Sequence, residues 1–243
     1  MTVSFPTQNF INYILNPVSK LSENLLLKFE KQEFESYVAK TFVTSSDNSV
    51  ILLSQIECKS DSSKDCIIPD CKTFLRLFSG VDSDQVTLKI DNNVIKYKDS
   101  NNFSFKYHLL DESYLVNKKS LSESKINALT FDCSFSITKQ KFSEIIKFNS
   151  IIPDAEKLYF FTQEGQVYCK IGDEQKSSTN EITTLISSSY EGESLLQPIP
   201  LDIKNILLFA FSGDNITIQV NNKLKIFKFV CGAVNYIVSG LVK

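Results

Sequence analysis

Apolar side chains recur along this chain with two periods, and each period appears in both halves. Apolar residues three to four positions apart predict helices over residues 7–15, 70–78, 138–148 and 200–211. Alternating apolar and polar positions, rich in β-branched and aromatic residues, predict strands around these helices. The pattern therefore predicts a unit of helix, strands, helix and strands, which the chain contains twice.

The predicted strands are separated by turn signals and by prolines. Pro17 is expected to end the first helix, the polar stretch 58–65 is expected to form a loop, and Pro200 is expected to open the fourth helix. Asp91-Asn92-Asn93 and Asn221-Asn222 are typical of hairpin turns. The predicted strands are 25–29, 34–43, 50–57, 86–90, 94–98 and 103–109, then 129–137, 157–162, 167–171, 181–188, 216–220, 224–230 and 234–242.

Residues of the first half recur in the second half at a nearly constant distance. The run that starts at Asp70 matches the run that starts at Asp202, and Ser79-Gly80 matches Ser212-Gly213, with shifts between 130 and 133 along the chain. A repeat of this length is a whole domain. The sequence therefore predicts one domain over residues 1–110, a polar connector over 111–128 and a second domain over 129–243.

The bulk charge and hydropathy exclude some classes of partner. The net charge is −2, so any surface that binds a polyanion must be a local concentration of cations. No run of 18 apolar residues occurs, which predicts no membrane span and no membrane partner. The amino-terminal residues do not resemble a leader, and the expected location is the cytoplasm, within the host cell if the protein is viral.

Residues that could carry chemistry are sparse. His108 is the single histidine, and the six cysteines lack the paired spacing of a zinc site. Only seven glycines occur, and none belongs to a phosphate-binding motif. We therefore expect neither catalysis nor a metal or other cofactor, and we expect the cysteines to be free thiols.

Cations on the predicted helices are the strongest functional signal. Lys72 and Arg76 are four residues apart, so they share a helix face opposite Phe74 and Phe78. The same spacing separates Lys139 from Ser143 and Ser143 from Lys147. Such faces are either simply solvated or bind a polyanion, and the sequence leaves both possibilities open.

The whole chain resembles the sliding clamps of DNA replication, and its second half resembles those of tailed bacteriophages. The resemblance is carried by the duplicated unit, the connector, and three stretches of sequence: 189–193 (SYEGE), 198–202 (PIPLD) and 235–243 (NYIVSGLVK). It implies an α+β fold of two duplicated DNA-clamp domains, each with two helices packed on antiparallel sheets. It also implies a homotrimeric ring around double-stranded DNA that tethers a DNA polymerase and is placed by a clamp loader.

The resemblance assigns roles to particular residues. The helices of a clamp line its hole, which makes the helix cations candidates for phosphate contact, although the predicted first helix itself carries no charge. Clamps also recruit partners through short peptides, for which apolar residues of the connector and the last strand are candidates. The DNA-binding candidates are Lys20, Lys72, Arg76, Lys139, Lys141, Lys147 and Lys204, and the partner-peptide candidates are Tyr114, Leu115, Val116, Leu241 and Val242.

Two other classes of protein remain compatible with the sequence. A structural or adaptor protein built from a duplicated β-rich domain would leave the helix cations solvated. An enzyme would need a catalytic motif, and none is present. The concentration of cations on helices favours the clamp.

Overall fold

A computed structural model of the chain describes residues 1–111, 113, 123–172, 180–195 and 197–241, apart from the side chain of Glu35. The chain divides into two units, Met1–Glu123 and Ser124–Lys243. The division falls inside the predicted connector.

Among its described residues, unit 1 contains eight strands, a first helix made of three consecutive helical elements, and a second helix, α3. Its elements are β1 (Thr2–Pro6), α1 (Thr7–Asn9), a π-helical stretch (Phe10–Leu15), α2 (Asn16–Leu21), β2 (Leu25–Lys31), β3 (Tyr37–Thr44), β4 (Val50–Ser60), β5 (Lys64–Ile68), α3 (Cys71–Phe78), β6 (Gln85–Asp91), β7 (Val94–Lys98) and β8 (Ser104–His108). A short 3-10 turn, Glu33–Glu35, joins β2 to β3. The strands pair antiparallel in the order β5-β2-β3-β4-β1-β6-β7-β8.

The first helix is longer than predicted, because α1, the π-helical stretch and α2 follow one another from Thr7 to Leu21. The prediction that Pro17 ends this helix was wrong. Proline removes the amide that would bond to the carbonyl of Tyr13, four residues earlier. Here the hydroxyl of Ser54 donates to that carbonyl at 2.5 Å, so the helix continues through the proline.

Ser54 should therefore contribute measurably to the stability of unit 1. Its side chain is buried, and Ser54→Ala would leave the Tyr13 carbonyl without this donor. We expect the free energy of unfolding to fall by about 1–3 kcal/mol. Urea denaturation measures the change, with Ser46→Ala at an exposed turn position as the control. Equal stability of the two variants would contradict this role.

A cluster of aromatic rings joins the helices of unit 1 to the sheet. The ring of Phe74 on α3 lies between Phe10 of the first helix and Tyr107 of β8, with ring centroids 6.5 Å and 4.8 Å away. Phe74 and Phe10 are fully buried. Alternate residues of β6 are buried in the same core, so the opposite face of this part of the sheet is exposed.

Unit 2 repeats these elements, after α4 (Glu123–Asn127) at the point of division. They are β9 (Cys133–Thr138), α5 (Lys139–Ile151), β10 (Lys157–Gln163), β11 (Gln166–Gly172), β12 (Ile182–Ser187), β13 (Glu191–Gly192), β14 (Ile199–Asp202), α6 (Ile203–Leu207), β15 (Asn215–Asn221), β16 (Ile226–Cys231) and β17 (Val234–Ser239). One run of antiparallel strands is β13-β9-β15-β16-β17, and the other is β12-β11-β10-β14.

Individual hydrogen bonds inside unit 1 have equivalents inside unit 2, which shows that the repeat in sequence is a repeat in structure. The hydroxyls of Ser4 and Thr87 are 2.8 Å apart, and those of Ser136 and Thr217 are 3.3 Å apart. At the start of a helix in each unit, Cys71 N donates to Glu23 O at 2.7 Å and Ile203 N donates to Glu156 O at 3.0 Å.

Three sequence predictions about boundaries were wrong. Residues 58–65 are mostly strand, because β4 continues to Ser60 and β5 begins at Lys64. Only residues 61–63 form the turn between them, and the polar residue Lys59 lies on the exposed face of β4. The fourth helix has five residues and does not reach 211. Pro200 lies in β14 instead of opening a helix, and an outer strand tolerates a residue that lacks an amide. Strands β1, β5, β13 and β14 were not predicted.

Candidate nucleic-acid interface

The end of the first helix and the start of α3 enclose an open polar groove in unit 1. Its volume is about 420 Å³, and the side chains of Lys20, Lys72 and Arg76 all line it. Three of the predicted DNA-binding cations are therefore brought together. The other lining residues were not predicted from the sequence: Ser19, Leu21, Ser22, Glu23, Asp70 and Thr73.

The local structure of α3 explains why its cations are exposed. Asp70 caps the helix, because its carboxylate accepts from Thr73 N at 2.9 Å and from the Thr73 hydroxyl at 2.6 Å. These hydrogen bonds hold the pKa of Asp70 below its usual value, and the bond from the Thr73 hydroxyl has the larger effect. Phe74 and Phe78 face the core, which leaves Lys72 and Arg76 on the exposed side of the helix.

Lys20 is part of the first helix, although the sequence analysis placed it beyond the helix end. It lies in the last turn of α2 and is exposed. The expectation that the first helix lacks a cation was therefore wrong. The error follows from the assignment of Pro17 as a helix stop.

In unit 2 the cations of α5 fall into two environments. Lys139 and Lys147 are exposed, whereas Lys141 is partly buried and lies 3.2 Å from the carboxylate of Glu144. Thr138 caps this helix by accepting from Lys141 N at 3.1 Å, as the sequence predicted. Lys139 and Lys147 therefore fit a polyanion-binding role better than Lys141.

Lys204 occupies the position in unit 2 that Lys72 occupies in unit 1. It is exposed on α6, and Asp202 caps that helix by accepting from Lys204 N at 2.8 Å. Within the helices of the two repeats, from 7 to 21, 71 to 78, 139 to 151 and 203 to 207, there are seven basic side chains and a single acidic one, Glu144. The remaining chain carries the acidic excess.

This arrangement suits sequence-independent contact with phosphates. Lysine contacts phosphate as a mobile point charge and reads no base. Few carboxylates lie on these helices, so cation density there is locally high despite the net charge of −2. The groove is polar and open, with no apolar enclosure for a small molecule.

The remaining reactive residues are in ordinary surroundings. The six cysteines are free, as predicted, and all but Cys58 are buried. Burial raises the pKa of Cys58 to about 11 and that of Cys71 to about 12, so neither is a ready nucleophile. His108 is exposed on β8. No group of three or more potential metal ligands occurs among the residues that the structure describes.

Most of the predicted partner-peptide residues lie outside the described residues. Tyr114, Leu115, Val116 and Val242 fall in that category. Leu241 is described: it is partly exposed, and its amide donates to Pro200 O at 2.8 Å.

None of the helices in the described ranges is long and apolar enough to span a membrane.

Solved structures to which this chain is similar include sliding clamps. A putative DNA polymerase III beta subunit from Eubacterium rectale aligns with 100% of this chain at 13% identity and a TM-score of 0.73. The PCNA of A. fulgidus, solved with the C-terminal region of FEN-1, aligns with 100% of the chain at 14% identity and a TM-score of 0.77. A Helicobacter pylori beta clamp bound to a DNA ligase peptide aligns at 14% identity and a TM-score of 0.64. No protein-family model and no curated protein sequence matches the chain.

These comparisons establish that the chain has the sliding-clamp fold, and they confirm the predicted fold class. The chain spans 98% of the A. fulgidus subunit. It spans 66% of the E. rectale subunit, just under two thirds of that chain. At identities this low the likeness concerns the fold alone.

Proposed function

We propose that this protein is a sliding clamp that encircles duplex DNA and tethers a replicative polymerase. The observation that carries the proposal is the concentration of seven cations on the helices of a chain that has the clamp fold and a net charge of −2. An adaptor protein would have no need for this placement. The resemblance of the second half to phage clamps supports a role in viral DNA replication in the host cytoplasm.

The proposed mechanism follows from the properties of a closed ring. A ring is retained on DNA by topology, so it needs no tight contact with the duplex. Lysine–phosphate contacts are the same for every sequence and are screened by salt, which permits sliding. The protein would therefore act by holding its partner on DNA, with no chemical step of its own.

We propose that three subunits assemble into a ring. Each subunit would contribute two domains, 1–110 and 129–243, joined by the connector 111–128. The match over 98% of a PCNA subunit supports this subunit size. Heterologous interfaces that close on themselves make such rings. Subunits would join through strand edges, which also protects those edges from aggregation.

Strands β8 and β12 are the best candidates for these edges among the described strands. Each ends a run of paired strands, and they have five and six residues. The other terminal strands are less suitable: β13 has two residues, β14 contains Pro200, and Ile67 of β5 already bridges to Leu110. Strand β17 has three consecutive buried residues, 236–238, so both of its faces are already covered in the single chain. We propose that β8 of one subunit pairs with β12 of the next.

Leu185 on β12 tests this interface. It is 40% exposed in the single chain, and an exposed leucine on an edge strand fits an interface with another subunit. We expect Leu185→Asp to weaken assembly by at least about tenfold, a loss of about 1.4 kcal/mol. The control is Leu224→Asp, because Leu224 is 53% exposed in a turn. Sedimentation over a concentration series measures both, and an unchanged dissociation constant for Leu185→Asp would exclude β12 as the edge.

We also propose that polymerase and loader bind through short peptides at Tyr114, Leu115, Val116, Leu241 and Val242. The A. fulgidus and H. pylori clamps are each solved with a peptide or terminal region of a partner, which supports this mode of binding. Replacing Leu115 and Val116 by Ser should weaken binding of a polymerase-tail peptide about tenfold while the assembly stays intact by mass. Unchanged affinity would place the pocket elsewhere.

Retention on circular DNA tests the function. The protein is incubated with nicked circular DNA at high concentration, so that transient opening of the ring suffices for loading. The DNA and any protein bound to it are then separated from free protein at moderate salt. A clamp remains on the circle and is released when a restriction enzyme cuts it. Retention that survives cutting, or no retention on the circle, would contradict the proposal.

A further inference from the structure

Three lysines stand directly opposite one another on the exposed face of the unit 1 sheet. Lys89 of β6 pairs with Lys96 of β7, and Lys96 pairs with Lys106 of β8. All three are exposed, and their strand neighbours Leu88 and Ile95 face the core. This row, the lysine ladder, therefore lies on the sheet face opposite the helices that carry the proposed DNA contacts.

The ladder is part of a wider basic surface. Lys98 lies on the same face of β7 as Lys96. Beside it, a second row crosses the sheet from Thr87 of β6 to Ser4 of β1, whose hydroxyls are hydrogen-bonded, and on to Lys59 of β4. Neighbouring strands are about 4.8 Å apart, so the surface extends roughly 19 Å across the five strands from β8 to β4. Carboxylates lie at its margin: Asp61 and Asp91, Asp82 and Asp99 beside Thr87 and Lys98, and Glu57 next along β4 from Lys59.

This arrangement is unfavourable for the isolated chain. Like charges directly opposite on neighbouring strands destabilise a sheet. Lys96 has one weak, exposed ion pair, with Asp91 at 3.5 Å. Within the ranges that the structure describes, Lys89 and Lys106 form no ion pair.

The internal repeat provides a comparison at the same positions. In unit 2 the pairs equivalent to the ladder join Gln219 to Lys228 and Lys228 to Ile237. The fold therefore does not require three lysines in this row. Their presence in unit 1 is a property of that unit's surface and not of the duplicated architecture.

We propose that the lysine ladder is a docking surface for an acidic, extended segment of a partner protein. Charge complementarity carries the proposal: three directly opposed cations, of which only Lys96 has an ion pair within the described ranges, are stabilised by a polyanion. The exposed face of β6, β7 and β8 carries no phenylalanine, tyrosine or tryptophan and no arginine for bidentate phosphate contact, and the one ring on which a base could stack is the imidazole of His108 at the end of β8. These features favour carboxylates over single-stranded nucleic acid.

Binding of a labelled polyglutamate peptide of roughly ten residues, long enough to cross the surface when extended, tests the proposal. Fluorescence anisotropy compares the intact protein with the triple variant Lys89→Gln, Lys96→Gln, Lys106→Gln. The matched control replaces the scattered exposed lysines Lys31, Lys125 and Lys223 by Gln, which changes the net charge equally. We expect the ladder variant to lose at least about fivefold in affinity and the control to lose less than about twofold.

A melting curve at low salt adds a readout that does not need the peptide. Relief of repulsion should raise the melting temperature of the ladder variant by roughly 2 °C relative to the control. Equal loss of affinity in both variants, or no binding by the intact protein, would overturn the proposal. Tighter binding of an oligothymidylate of equal charge through the same three lysines would also overturn it and would assign the surface to nucleic acid.

Discussion

Reversing Lys72 and Arg76 to Glu should reduce affinity for duplex DNA at least about tenfold at 0.1 M salt. Both cations line the groove that also contains Lys20, so the substitution makes this groove acidic. In the proposed trimer the change would occur three times. The loss should be the same for any DNA sequence, and the salt dependence of the remaining affinity should be shallower, because only phosphate contacts are removed.

Filter binding or anisotropy over a salt series measures this effect. The matched control reverses Lys31 and Lys223, which are exposed outside the helices of the repeats. Reversing Lys139 and Lys147 should act like the groove variant, because both are exposed on α5. Wild-type affinity and salt dependence in both helix variants would show that the helices do not face DNA.

Phe74→Ala should destabilise unit 1 by about 3–5 kcal/mol. The ring is fully buried among Phe10, Phe78, Phe105 and Tyr107, and its removal leaves a cavity that these large rings cannot fill without leaving their contacts. A domain is stable by only about 5–15 kcal/mol, so the substitution removes much of the margin of the unit. Urea denaturation measures the loss.

The control for this substitution is a phenylalanine with the opposite environment. Phe34 is 97% exposed and has a φ of 57°, a region that asparagine adopts more readily. Phe34→Asn should change stability by less than about 0.5 kcal/mol or improve it slightly. A loss for Phe74→Ala no larger than that for Phe34→Asn would contradict the assignment of Phe74 to the core.

Local patterns in the sequence predicted most elements, because each depends on neighbouring residues. The hairpin strand Val94–Lys98 has the predicted bounds, and α5 begins after its predicted cap, Thr138. The charge of the helices is equally visible in the sequence. Spacing alone places Lys72 and Arg76 on one face of α3, and the structure has both exposed there.

The errors concern features that distant residues decide. The first helix continues through Pro17 because Ser54, on a strand far along the chain, bonds to the carbonyl of Tyr13. Lys20 was consequently placed outside that helix. Pro200 is tolerated in β14 because the strand lies at the end of its sheet. Likewise, the lysine ladder depends on the register between strands and cannot be read from any one of them.

The mass of the assembly in solution tests the central claim most directly. One chain has a mass of 27.6 kDa, and the proposed ring contains three chains. Light scattering coupled to gel filtration, at concentrations into the high micromolar range, should give three times the mass of one chain without DNA or partner proteins. A single-chain mass across that range would contradict the account.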